Sequence, residues 1–264
     1  MGSNRWLLAL LLLVACSDDP GFAHVTPPAT PTSTVRSDTT PRAGTSAPLG
    51  RKAGTEAPTT TLATPAYETA VAHVIDPVKI FVSPTIEIET RTIPAETILG
   101  TPTVMPVLEG PVDGWVKLSL PGRPNEANGW ARAEQFRFER VDQRIEVDLT
   151  NMTLTFFEKG SPVIATPVAI GSPTNPTPTG DFFVTDIVIL TDPTGPWGPY
   201  ALGLSARSDT ITEFNGGDGI IGIHGTNRPE RIGEPVSLGC IRVPNEIVAQ
   251  IAERVQLGIP VSIG

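Results

Sequence analysis

The apolar positions of this chain fall into three regimes. Residues 7–15 are an unbroken apolar run, residues 24–66 show no period, and short β-type alternations recur from residue 67 onward. Residues 144–149 alternate strictly and, after Thr150-Asn151, residues 152–156 alternate again, which predicts a hairpin. Other β-prone runs at 78–82, 86–88, 115–120 and 130–131 are broken by Pro111, Gly114, Pro121-Gly122 and Asn128-Gly129. Further strands are predicted at 162–170, 182–190, 200–204, 220–224 and 260–263. One helix is predicted near the end. Pro244-Asn245 offers an N-cap, Ile247, Val248, Ile251, Ala252 and Val255 recur at helical spacing, and Gly258 stops it. The expected fold class is mainly β: a small barrel over 70–140, then a β-rich domain over 141–264 with one short helix.

The first two regimes read as export and tethering. Arg5 precedes the apolar run, which at nine residues is too short to cross a hydrocarbon core needing about 20. It ends in Leu13-Val14-Ala15-Cys16, which resembles a bacterial lipobox, so residues 1–16 are expected to be a lipoprotein signal peptide. The resemblance implies lipidation of Cys16, which would anchor the chain to a membrane. An ordinary secretory peptide is the plainer alternative. Residues 17–69 are expected to be a disordered tether. Of residues 24–66, 29 are Thr, Pro, Ala or Ser, too polar and small to offset ordering entropy.

Composition narrows the chemistry. The net charge of -9 excludes the basic footprint of a nucleic-acid binder. Two cysteines, Cys16 and Cys240, are too few for a disulfide scaffold or a Cys-rich zinc site, and no HExxH motif occurs, so neither metal nor cofactor is expected. Of the three histidines only His224 lies in the last segment, followed sixteen residues later by Cys240. A thiol has a pKa near 8.5, and a neighbouring imidazole can take its proton and stabilise the thiolate that attacks a carbonyl. Gly239 admits close backbone approach, and Arg242 places a permanent positive charge two residues from the sulfur. The pattern is a candidate Cys acyl-transfer site. A buried structural Cys, a structural His and a Cys16–Cys240 disulfide are the readings that compete with it.

The motif Ile223-His224-Gly225-Thr226 with Ser237-Leu238-Gly239-Cys240-Ile241-Arg242-Val243 resembles the signature of the L,D-transpeptidase catalytic domain family (YkuD-like). Thr177-Pro178-Thr179-Gly180, Pro199-Tyr200-Ala201-Leu202 and the loop at 216–222 resemble the same family. Upstream, Gly114-Trp115-Val116-Lys117-Leu118 with Gly129-Trp130-Ala131 resembles a bacterial SH3-like wall domain. The resemblance implies that Cys240 attacks a carbonyl of a peptidoglycan stem peptide with His224 as general base, forming a thioester that passes to a second stem as a 3–3 cross-link. It implies that Ser237 and Gly239 shape an oxyanion pocket, that Gly225 belongs to the site, and that Arg242 orients the Cys loop or a stem carboxylate. Where many members carry His two residues before the Cys, this chain has Leu238. The third triad member is not evident; a backbone carbonyl or Asp218 are the candidates. An L,D-carboxypeptidase and a non-catalytic wall-binding lipoprotein are the competing functions, all facing the cell wall or periplasm.

Overall fold

A computed structural model describes residues 67–213 and 217–264. The leader, Cys16 and all but the last residues of the expected tether lie outside the described residues. Two sheets account for most of the fold. The first contains β1 (Thr69–Val74), β2 (Val78–Phe81), β3 (Glu89–Ile93), β4 (Val104–Val112), β5 (Trp115–Ser119), β6 (Asn128–Arg132) and β7 (Phe136–Val141), in the order β3-β2-β6-β5-β4-β1-β7. Alternation drives it: Val78, Ile80, Val116, Leu118 and Ala131 turn inward while Lys79 and Arg132 face water. Trp115 is buried, with Phe81 edge-on to its ring and the Arg132 guanidinium 3.9 Å from its centre.

The expected strand at 86–88 is instead a turn-rich connection, in which Ile86 and Ile88 are exposed and the Val82 N–H donates to Ile88 O. The strand begins at Glu89, where pairing of Val78 with Ile93 sets the register. β1, β4 and β7 carried no clear signal. β4 holds Pro106 and Pro111 and is broken by register shifts, so it reads as loop although it pairs with both β1 and β5.

The second half is built from β8 (Gln143–Asp148), β9 (Thr153–Glu158), β10 (Ser161–Pro167), β11 (Ile170–Gly171), β12 (Gly180–Ile189), β13 (Tyr200–Arg207), β14 (Ile220–His224), β15 (Pro235–Ser237), β16 (Ile241–Arg242), helix α1 (Asn245–Ala252) and β17 (Pro260–Ile263). Its main sheet runs β10-β9-β8-β17-β12-β13-β14-β16, and β11 pairs with β15. The expected hairpin is β8–β9, with Ile145 opposite Phe156 and Val147 opposite Leu154. β13 and β14 are buried on both faces, which is why they lack alternation in the sequence. α1 is shorter than its apolar spacing predicts. It ends at Ala252, and Gly258, at φ +78°, delivers the chain to β17.

The halves interlock. Phe183 of β12 belongs to the core of the first half, and Val71 and Val104 of the first half belong to the core of the second. The loop after β5 reaches across: Asn125 brackets the Arg207 backbone, accepting its N–H at 2.8 Å and donating to its carbonyl at 2.9 Å. Arg123 donates to the carbonyl of Ser208 at 2.7 Å. Leu99 packs on Val188, Leu190 and Ala201 of the second sheet. Two consequences are measurable. Near- and far-ultraviolet dichroism should report one shared unfolding transition, and Phe183→Ala should lower stability in urea by about 3–5 kcal/mol, through loss of a ring that is 1% exposed.

Candidate active site

His224 and Cys240 are brought together by two residues of parallel pairing. Ile223 of β14 lies opposite Ile241 of β16, and His224 lies opposite Arg242. Cys240, one residue upstream of β16, therefore falls beside Gly222, whose N–H donates to Sγ at 3.2 Å. The turn that delivers the Cys is tied from within. Ser237 Oγ donates to the Cys240 carbonyl at 2.5 Å and accepts the Gly239 N–H at 3.1 Å. Thr177 Oγ1 donates to the Gly239 carbonyl at 2.8 Å and accepts the Gly171 N–H at 2.8 Å. Gly239 sits at φ +118°, and a Cβ there would come within 2.9 Å of the Ile221 side chain. Both constraints favour glycine.

His224 is completely buried. Its Nδ1 lies 2.6 Å from the Gly225 carbonyl, to which it donates, so the neutral ring keeps its lone pair on Nε2. Nε2 is buried and has no hydrogen-bond partner among the described residues. Burial, then the nearby charge of Arg242, hold the pKa of His224 down to about 3; the Gly225 carbonyl works weakly the other way. The imidazole is thus neutral at physiological pH, with one nitrogen committed and the other available. Trp197 stacks on it with ring centres 4.5 Å apart. The competing Cys16–Cys240 disulfide involves a residue outside the described ones, and Cys240 is the only cysteine among the described residues.

All six residues expected to form the site therefore meet in one buried cluster. Ser237 and Gly239 direct their hydrogen bonds into the Cys turn itself. Arg242 is buried, with its backbone paired to Ala169 in both directions, and its charge acts on His224. Gly225 orients the imidazole through its carbonyl, the position for which a backbone group was a candidate. Asp218, the other candidate, is half-exposed and ion-paired to Arg207 Nε at 2.7 Å. His73 lies on the first sheet and pairs with Glu139. Among the described residues no group of three or more His, Cys, Asp or Glu is placed to hold a metal ion.

Three contributors escaped the sequence reading. Pro244-Asn245 was expected to offer the N-cap of α1; Pro244 is the N-cap residue, without a side-chain cap bond, and Asn245 Oδ1 accepts the Thr226 N–H at 2.7 Å. It fills the space left by Gly198 and Gly225, where any Cβ would come within 2.3 Å of Oδ1. Asn245 thereby locks the segment after His224 against the loop carrying Trp197. Trp197 itself was signalled only as a bulky aromatic in a Pro/Gly-rich turn, and Thr177 only as part of a motif.

Fold and site together define a β-sheet protein with a cysteine and a neutral histidine fixed at adjoining strand ends. Residues 142–263 match the model of the YkuD L,D-transpeptidase catalytic domain. The L,D-transpeptidase candidate YkuD of Bacillus licheniformis is 37% identical over 125 residues, 47% of this chain and 67% of that protein. Its Bacillus subtilis counterpart is 36% identical over 123 residues, 47% of this chain and 66% of that protein. The solution structure of the catalytic domain of an E. faecium L,D-transpeptidase aligns at 26% identity and a TM-score of 0.33, covering 47% of this chain and 97% of that one. This chain belongs to the L,D-transpeptidase catalytic domain family. It spans about two thirds of the length of the two Bacillus relatives.

The buried imidazole makes stability pH-dependent. An unfolded His takes up its proton near pH 6.5, whereas folded His224 resists until about 3. Protonation thus favours the unfolded chain. This stabilisation is complete above about pH 6.5 and is lost as pH falls toward 3, at about 1.4 kcal/mol per pH unit. Urea titrations at pH 7, 5 and 4 should show a steeper acid loss for the wild type than for His224→Gln.

Proposed function

We propose that this protein is a peptidoglycan L,D-transpeptidase working through a Cys240 thioester. The observation that carries the reading is the state of His224. A neutral imidazole with Nδ1–H fixed on a carbonyl has its free lone pair at Nε2, beside the turn that presents the only cysteine of the domain. In the reduced protein Nε2 takes the Cys240 proton as Sγ bonds to the carbonyl carbon of the donor stem's diamino acid. Collapse of the adduct breaks the C–N bond, and the imidazolium returns the proton to the departing D-Ala amine. A side-chain amine of a second stem then attacks the thioester and gives up its proton to His224. The S–C bond breaks, leaving a 3–3 cross-link and a restored thiol.

The Gly222 N–H on Sγ favours the thiolate, and Arg242 favours anionic species near the sulfur. The same Arg242 charge and the burial of the ring keep His224 unprotonated before substrate arrives. The first half, read as an SH3-like module over 70–140, and a lipidated Cys16 on a 17–69 tether would hold this site against the wall. A structural motive for the arrangement is the interlock of the halves, which makes the first more than a spacer.

Reduced wild-type protein incubated with tetrapeptide stems should yield cross-linked dimer and free D-Ala. Tripeptide without dimer would mean a carboxypeptidase, and no turnover would leave a wall-binding protein. Cys240→Ala should abolish turnover and remove the covalent carbapenem adduct that mass spectrometry should find on the wild type. Asn245→Ala should lower kcat about tenfold to a hundredfold with KM little changed, because Asn245 positions the segment after His224 without facing substrate.

A further inference from the structure

Beyond the cysteine and histidine, the buried carboxylate of Asp186 has no ion-pair partner among the described residues. A cavity of about 350 Å³ lies between the two halves of the molecule, walled by Ile93, Thr97 and Val104 on one side and Phe183, Asp186 and Ile220 on the other. Its surface is mostly apolar. Asp186 is 5% exposed, and Thr97 Oγ1, from the first half, donates to its Oδ1 at 2.6 Å. Thr97 is its only side-chain partner among the described residues. The cation in the wall, Arg207, is already held by Asp218 and by the carbonyls of Leu204, Ser205 and Ala206. A buried carboxylate with one neutral donor is incompletely compensated, and an ammonium group supplies what it lacks.

The register connects this carboxylate to the sulfur. Asp186 lies opposite Gly203, and Gly203 lies opposite Gly222. Paired residues turn to the same face of a sheet, so the row reads Asp186, Gly203, Gly222, with Cys240 Sγ at the Gly222 end. Two strand spacings put the Asp186 backbone roughly 10 Å from that of Gly222. The middle position has no side chain. A Cβ on residue 203 would come within 3.2 Å of Asp186 Oδ2. Along the next row of the same face stand Val188, Ala201 and His224. The face is therefore low along the glycine row and bordered by the catalytic histidine.

We propose that Asp186 is a substrate-specificity residue that binds the side-chain ammonium of the donor stem's diamino acid. The inference rests on the acyl-transfer reading above and adds to it a residue and a subsite. With the reacting carbonyl on Sγ, a lysine-type side chain, four carbons long, runs over Gly203 toward Asp186. Its stem meets the apolar wall while its ammonium meets the carboxylate. Thr97 holds that carboxylate in place, so the first half forms one wall of the donor pocket.

The test compares two tetrapeptide stems with the reduced full-length protein, one with a free side-chain amine and one with norleucine in its place. Release of terminal D-Ala should show a KM about tenfold lower for the amine peptide. Asp186→Asn should abolish that preference by raising KM for the amine peptide alone, with kcat and the carbapenem adduct on Cys240 retained. Equal KM values for both peptides with the wild type would overturn the assignment, whatever the variant does. So would a preference that survives in a folded Asp186→Asn protein. If the wild type releases D-Ala from neither peptide, the acyl-transfer reading fails. Calorimetric binding of the two peptides to Cys240→Ala protein then decides the ammonium site by itself: tighter binding of the amine peptide supports it, equal binding overturns it.

Discussion

The parallel pairing of β14 with β16 is two residues long, and the geometry of the candidate site depends on it. It sets Cys240 against Gly222 and His224 against Arg242. So short a ladder cannot fix a register by its own hydrogen bonds. The backbone bridge from Arg242 to Ala169 braces it on one side, and Thr177 and Ser237 tie the preceding turn on the other. Asn245 secures the strand's exit. The site is rigid because several independent elements, distant in sequence, each hold one end of a small object.

Electrostatics follow from that rigidity. An imidazole packed against Trp197, buried and close to the Arg242 charge, is held neutral at rest. The carbonyl of Gly225 fixes the tautomer of His224 without adding a negative charge. That choice matters beside Arg242. A carboxylate at this position would raise the histidine's proton affinity, whereas a carbonyl leaves burial and Arg242 to hold the ring neutral.

Much of this was legible in the sequence. The strands at 220–224 and 260–263, the hairpin, and the cluster of His224, Gly225, Ser237, Gly239, Cys240 and Arg242 all declare themselves through period or motif. What stayed hidden has physical causes. β4 and β7 pair by backbone, with long exposed stretches or prolines that suppress any apolar period, and β1 buries Val71, Ala72 and Val74 without alternation. The role of Asn245 was hidden by a rule that holds elsewhere: an Asn near a helix start usually caps its own helix, and here the loop after β14 supplied the donor, the Thr226 N–H. Asp186 was invisible because its meaning lies in a cross-strand row and in Thr97, 89 residues away. Tertiary neighbours of that kind leave no local mark.

Phe183 shows what this arrangement excludes. The family match begins at residue 142, which suggests a cassette that could be cut out and joined to another carrier. Yet this ring sits in the core of residues outside the match, and Val71 and Val104 fill the hollow above Gly258. A fragment excised at the family boundary would carry an open apolar wound on one side and a vacancy on the other. For this protein the unit of transplantation is the pair of halves, and a chimaera that exchanges one must also carry over the surface of the other.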